Sequence, residues 1–260
     1  MKTIKFLENQ VAIITGSGYG IGQGIALEFV RQGAQIVVND LDPKRSTNTQ
    51  NLVRKLGGKV QVVNGDVNDG KIRQSLLQKA VRDFGGIDIL VNNVGIGSDS
   101  PPVLKSTPQE WRKIWEINFL AGTLLAKDTA EWMIAVGRRG KIIFITSVHQ
   151  ERIIGSPMYS TTKAALKMLV EELGAELAPY GIRVNGIAPG WIDTSPEATL
   201  KHKPGSHLGI TPLGRGGLPE EVGRAAVFLA SDYWSSYITA TTILVDGGLH
   251  TFSWRTAKLA

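Results

Sequence analysis

Short β-branched runs alternate with longer stretches of helical periodicity along almost the whole chain. The runs Val11 to Thr15, Gln35 to Asn39, Val60 to Asn64, Asp88 to Asn92, Lys141 to Thr146, Ile182 to Ile187 and Thr242 to Val245 read as buried strands. Between them, helices are predicted near residues 20–32, 44–56, 69–84, 108–136, 159–178 and 219–230. Leu166, Leu169, Val170, Leu173 and Leu177 form one apolar stripe at a spacing close to 3.6. Pro108 and Pro219 stand where a first helical turn begins, and Thr107 is a good cap for the first of them. Strands alternating with helices predict an α/β fold: one doubly wound, Rossmann-like parallel sheet of about seven strands, covered by helices on both faces. No linker or repeat divides the chain, so residues 1–260 read as one domain. The segment near 195–217, rich in Pro, Gly, His and Lys, resists assignment; a stretch that long without periodicity reads as a substrate lid.

Composition narrows this picture. With 42% hydrophobic and 20% charged residues, the 260-residue chain has the make-up of a water-soluble enzyme long enough to bury a core. The absence of cysteine excludes disulfides, a thiolate metal site and a cysteine nucleophile; no metal site is expected. The N-terminus carries no apolar signal segment, and no apolar run reaches membrane-spanning length, so a cytoplasmic protein without membrane association is expected. The net charge of +6 comes from scattered basic residues whose densest groups, Arg138-Arg139 and Lys201-His202-Lys203, are short. That is a solvated basic face and not a nucleic-acid footprint.

The first strand runs into Thr15-Gly16-Ser17-Gly18-Tyr19-Gly20-Ile21-Gly22, and a helix follows at once. Glycines in such a turn let the backbone approach a pyrophosphate, whose charge is met by the helix N-terminus. The second strand ends in Asn39-Asp40. A carboxylate there accepts hydrogen bonds from the adenosine ribose and repels a 2′-phosphate, which favours NAD over NADP. Lys44 and Arg45 are the nearest basic residues, and neither adjoins Asp40 in sequence. Tyr159 and Lys163 lie one helical turn apart on one face of a predicted helix, an arrangement suited to proton transfer.

The spacing T-G-x-x-x-G-I-G, together with Asn92-Asn93-Val94-Gly95, Asn118, Ser147, Tyr159-x-x-x-Lys163 and Pro189-Gly190, resembles the short-chain dehydrogenase/reductase family. The resemblance runs from Val11 to Val245-Asp246-Gly247-Gly248. It implies that Tyr159 exchanges the substrate proton and that Lys163 holds the nicotinamide ribose, while the lysine's ammonium and the positive charge of an oxidised nicotinamide together lower the pKa of the phenol. Ser147 is implied to bind the reacting oxygen, and Asn118 to carry a water-linked relay to Lys163. It also implies cofactor contacts from Gly16, Ser17, Tyr19, Gly20, Ile21, Asp40 and Leu41. Further contacts are implied for Asp66 and Val67 at the adenine, for Asn92, Asn93 and Gly95 after the fourth strand, and for Pro189, Gly190, Ile192 and Thr194. Members of this size are usually homotetramers. Two departures stand out: Val94 replaces the usual alanine, and the Ser147–Tyr159 separation of 12 leaves Thr146 as an alternative hydroxyl.

The substrate is suggested by the polar run Ser147-Val148-His149-Gln150-Glu151, which resembles the glucose and aldose 1-dehydrogenase branch. Polar groups at His149, Gln150 and Glu151 suit a polyhydroxylated small molecule, and Trp191 suits stacking on a sugar face. The expected reaction is therefore NAD-dependent oxidation of a sugar or polyol carbinol. The alternatives are a 3-oxoacyl-carrier-protein or other carbonyl reductase, and a cofactor-binding scaffold without catalysis. A solvated Glu151–Arg152 pair would be the plain structural explanation of the polar run.

Overall fold

The computed structural model describes residues 4–97, 100–195 and 211–251. Seven strands, β1 (Val11–Ile14), β2 (Gln35–Asp40), β3 (Val60–Asn64), β4 (Ile89–Asn92), β5 (Lys141–Ile145), β6 (Arg183–Pro189) and β7 (Thr241–Val245), form one sheet. Every pairing is parallel, and the order is β3-β2-β1-β4-β5-β6-β7. The connecting helices are α1 (Gly20–Arg31), α2 (Pro43–Lys55), α3 (Gly70–Phe84), α4 (Pro108–Trp115), α5 (Ala121–Ala135), α6 (Pro157–Leu177), α7 (Pro219–Ala230) and the short α8 (Asp232–Ser235).

Both sheet faces are covered, so alternate residues of one strand enter different cores. Ile14, Ile36 and Ile143 pack with Ile25 and Phe29 of α1 and Val222 and Leu229 of α7. Ile13, Val37, Leu90 and Phe144 pack on the other face with Leu76 of α3, Leu125 of α5 and Leu166 and Val170 of α6. This explains the near-continuous apolar character of the strands, since neither face meets water. The chain leaves β1 in one direction towards β2 and β3, then returns to place β4 on the other side of β1. The strand ends therefore diverge between β1 and β4, where open α/β sheets bind ligands.

Three elements differ from the sequence reading. The helix predicted over 108–136 is interrupted by a π turn, Glu116–Leu120, between α4 and α5. One added residue per turn is a local device that hydrophobic periodicity does not reveal. Helix α6 begins at Pro157, whose fixed φ suits the first helical position. The short α8 has no periodic signature, because its four residues span barely one turn. Its Asp232 pairs with two nearly buried cations, Lys141 at 2.7 Å and Arg183 at 3.5 Å, at the starts of β5 and β6. Thr107 caps α4 as expected, accepting from the Glu110 amide while the Glu110 carboxylate accepts from the Thr107 amide at 2.7 Å. Most of the expected lid, with Lys201, His202, Lys203 and His207, lies outside the described residues.

Candidate active site

At the carboxyl ends of the strands lies a cavity of about 1170 Å³, large enough for a dinucleotide and a small substrate together. One end is built by the turn between β1 and α1. Gly16 and Gly20 both have φ +58°, and a Cβ on Gly22 would stand 2.3 Å from the Gly16 carbonyl oxygen. Side chains are therefore disfavoured at Gly16 and Gly20 by backbone conformation and excluded at Gly22 by contact. The Asn93 amide ties it to β4, donating to the carbonyls of Thr15 and Gly16 at 3.0 Å each. Helix α1 has no acidic residue in its first turn and no side-chain cap, so its N-terminal positive charge faces the cavity end uncompensated. These features fit a dinucleotide pyrophosphate.

Of the expected cofactor residues, Gly16, Tyr19, Ile21, Asp40, Leu41, Asp66, Val67, Asn93, Gly95, Pro189, Gly190, Ile192 and Thr194 line the cavity. Ser17 does not. It is fully buried, its hydroxyl donates to the Ile14 carbonyl at 2.7 Å, and its amide donates to Asn39 at 2.8 Å. Ser17 thus braces the turn from inside. Gly20 is also off the wall; its missing side chain makes room for Thr194, whose Cγ2 would lie 3.2 Å from an added Cβ. Asn92 points away into a separate small void beside Thr15 and Asn118, and its amide is buried without a partner among the described residues.

Asp40 sits at the wall with its carboxylate accepting from the Gly18 and Asp42 amides, both at 3.0 Å. Those bonds fix its orientation and leave lone pairs for ribose hydroxyls. The structure also brings Arg45 to this wall, with its guanidinium 5.6 Å from the Tyr19 ring centre. Sequence distance concealed it. Because α2 begins at Pro43, residue 45 falls in the first turn of that helix, directed back at the end of β2. The Tyr19 hydroxyl donates to the Thr194 carbonyl, spanning the cleft from the glycine turn to the segment after β6.

At the other end, β5 and α6 bring Ser147, Tyr159 and Lys163 together on the cavity wall. Thr146, the alternative hydroxyl, donates instead to the Ile187 carbonyl at 3.1 Å, whereas Ser147 neighbours the Tyr159 phenol. Lys163 is 2% exposed, donates to the Ile145 carbonyl at 2.8 Å and lies 5.4 Å from the Tyr159 ring centre. Burial pushes its ammonium down to about 8. The lysine by itself does not lower the phenol as the sequence suggested. Burial raises its pKa above 10, with the Ser147 hydroxyl working in the opposite direction. The lysine stands beneath the ring, tied to a carbonyl, and the desolvation of Tyr159 outweighs any help it gives.

Asn118, 2% exposed in the π turn, accepts from the Ile96 amide at 2.8 Å and donates to the Ile96 carbonyl at 2.9 Å and the Thr162 hydroxyl at 3.2 Å. Its side chain therefore pins the segment after β4 against α6. Between them, Gly95 leaves space for the lysine: an added Cβ would lie 3.3 Å from Lys163 Nζ.

The expected substrate trio separates. His149 lines the cavity, with its ring edge-on to Tyr159 at 4.9 Å and Nδ1 3.1 Å from the Ser160 hydroxyl. Burial, and secondarily the charge of Lys163, hold its pKa below 6.5. Glu151 reaches the wall, but its carboxylate pairs with Lys167 at 2.6 Å, not with Arg152. The Gln150 side chain is not on the wall, because the single 3-10 turn Val148–Gln150 directs it into the protein. Trp191 lines the cavity beside Gly216, where an added Cβ would meet the indole at 2.7 Å. Ile96, Arg152, Ile153, Ile154 and Leu249 complete this end; none was anticipated, since nothing in their local pattern separates them from surface loop. Among the described residues, no cluster of acidic or histidine side chains could hold a metal, and no helix is long and apolar enough to cross a membrane.

Residues 16–250 match the family described as Enoyl-(Acyl carrier protein) reductase. Glucose 1-dehydrogenase 2 of Bacillus subtilis is 36% identical over 251 residues, covering 94% of this chain and 96% of that protein. The 3-oxoacyl-acyl-carrier-protein reductase FabG of Thermotoga maritima is 34% identical over 247 residues, covering 94% and 98%. Among solved structures, a short-chain type dehydrogenase/reductase from Mycobacterium marinum has a TM-score of 0.86 at 32% identity, covering 95% of this chain and 97% of that one.

Proposed function

The chain belongs to the short-chain dehydrogenase/reductase family, whose members act on alcohol or carbonyl groups with a nicotinamide cofactor, and from that premise we propose that it is an NAD-dependent dehydrogenase of a sugar or polyol. The observation that carries this reading is the meeting of Ser147, Tyr159 and Lys163 on one wall of the cavity whose far end is the glycine turn and Asp40. When bound, the nicotinamide supplies the hydride acceptor. The protein supplies the proton path and the fixed polar groups. Ser147 and Tyr159 hold the reacting oxygen from two sides, and Tyr159, whose buried phenol would be drawn towards its phenolate by the positive charge of an oxidised nicotinamide, takes the hydroxyl proton as the carbonyl forms. Lys163, fixed by Ile145, keeps positive charge under that phenol and stands ready for the nicotinamide ribose. Asn118 keeps Ile96 and α6 in register around them, and its expected part in a water-linked relay belongs to this proposal.

Asp40, oriented by two backbone amides, supports NAD as the cofactor. His149 and Trp191 at the wall support a polar substrate. A homotetramer in the cytoplasm completes the proposal, and its mass in solution is measurable by light scattering. A second reading, reduction of 3-oxoacyl groups, is favoured by the near-equal identity to the Thermotoga maritima reductase. A screen of aldoses, polyols, steroids and 3-oxoacyl thioesters with both cofactors separates the two. Oxidation of aldoses or polyols with NAD supports the first; turnover confined to acyl thioesters with NADPH overturns it.

A further inference from the structure

Resting on that reading, we propose that His149 is the specificity-determining residue and that it recognises a hydroxyl on the carbon next to the reacting carbinol, so that the enzyme selects vicinal diols. The main-chain amide of His149 donates to the Ser147 hydroxyl at 3.2 Å, and its ring lies edge-on against Tyr159. The imidazole thus borders both groups that hold the reacting oxygen. Its Nδ1 is engaged by Ser160, and Nε2 has no partner among the described residues although the side chain lines the cavity. In either tautomer Nε2 offers one donor or one acceptor, and a hydroxyl can match both. A methylene in the same place leaves that nitrogen unpaired.

The surroundings make this position distinctive. Glu151 is drawn outward by Lys167, Arg152 donates to the Leu249 carbonyl at 3.1 Å, and the Gln150 side chain is off the wall. Val148, Ile96, Ile153 and Ile154 add apolar surface to the same cavity wall. Recognition therefore concentrates on one polar point beside the carbinol, not on a hydroxyl array around a whole ring.

The test compares cyclohexanol with cis- and trans-1,2-cyclohexanediol as probes, using the full chain with saturating NAD, for wild type, His149→Leu and His149→Gln. NADH binding and thermal melting verify that each variant is folded. The expected wild-type kcat/KM favours a diol over cyclohexanol on the order of tenfold to a hundredfold. His149→Leu collapses that ratio towards one, and His149→Gln, which keeps a hydrogen-bonding group, restores part of it. Equal ratios in wild type and His149→Leu overturn this inference alone, as does a wild-type ratio of one. Oxidation of neither probe by the wild type, with acyl thioesters turned over instead, overturns the dehydrogenase reading and this inference with it.

Discussion

The two ends of the cavity are made of different materials. The cofactor end is built from backbone: positive-φ glycines, an uncapped helix terminus, and amides that orient Asp40. The substrate end is built from side chains on a 3-10 turn and the loop after it, most of them with local partners of their own. Backbone recognition tolerates no added atoms but needs few particular side chains. Side-chain recognition depends on which groups are left over once neighbouring pairs have formed. The same polar run that suggested three substrate contacts leaves His149 with an uncommitted atom, because Glu151 finds Lys167 and Gln150 turns inward.

The largest effect is expected where the two ends meet. Tyr159→Phe should lower kcat by about 10²- to 10⁴-fold with NADH binding retained, measured by steady-state turnover and fluorescence titration. Undiminished turnover would show that proton transfer does not use this phenol. At the cofactor end, Gly22→Ala forces a Cβ against the Gly16 carbonyl 2.3 Å away. A cost of about 1–3 kcal/mol is expected, seen as a lower Tm and weaker NADH binding. An unchanged protein would mean that the turn is softer than its geometry indicates. Asp40→Ala should shift the NAD to NADP preference in kcat/KM by about tenfold, since one misplaced charge or lost hydrogen bond is worth that much. Arg45 on the same wall then becomes a partner for the 2′-phosphate, and the double variant Asp40→Ala with Arg45→Ala should lose part of the gain.

Lys163 yields a prediction in pH. Its folded pKa of about 8 lies below its ordinary 10.5, so the unfolded chain binds this proton more readily. The resulting penalty is present below pH 8 and is relieved as pH rises from 8 towards 10.5. Wild type should gain stability relative to Lys163→Met across that window, read as the difference in Tm. A constant difference would show that the lysine is solvated. Glu151→Gln should change turnover least, within about twofold, because an exposed ion pair contributes little. A large loss would return Glu151 to the substrate and undo the contrast between the two ends.

The fold and the cofactor end were readable in the sequence because their signals are local and periodic. Strand runs, the glycine turn and Asp40 follow from backbone requirements that few residue types meet. The meeting of Ser147, Tyr159 and Lys163, the proposed catalytic set, on one wall was also legible, since their spacing survives as a motif. What escaped detection depends on three-dimensional pairing. Arg45 reaches the wall through the start of α2, and Ile153 and Ile154 through a loop without periodicity. Ser17 faces inward because Ile14 and Asn39 offer bonds there. The raised phenol of Tyr159 was hidden for a related reason: one-turn spacing to a lysine reveals proximity, but burial is a property of the assembled cavity.

The pairing of Asp232 with Lys141 and Arg183 has an evolutionary reading. It fastens the starts of β5 and β6 at the end of the sheet opposite the cavity. Ser147 is carried at the finish of β5, immediately before the loop that supplies His149, Glu151, Arg152, Ile153 and Ile154 to the cavity wall. With its far end moored, β5 acts as a fixed mast from which residues 148–154 can be exchanged by mutation or grafting. New specificities can then be sampled on this chain while Ser147 stays at its station.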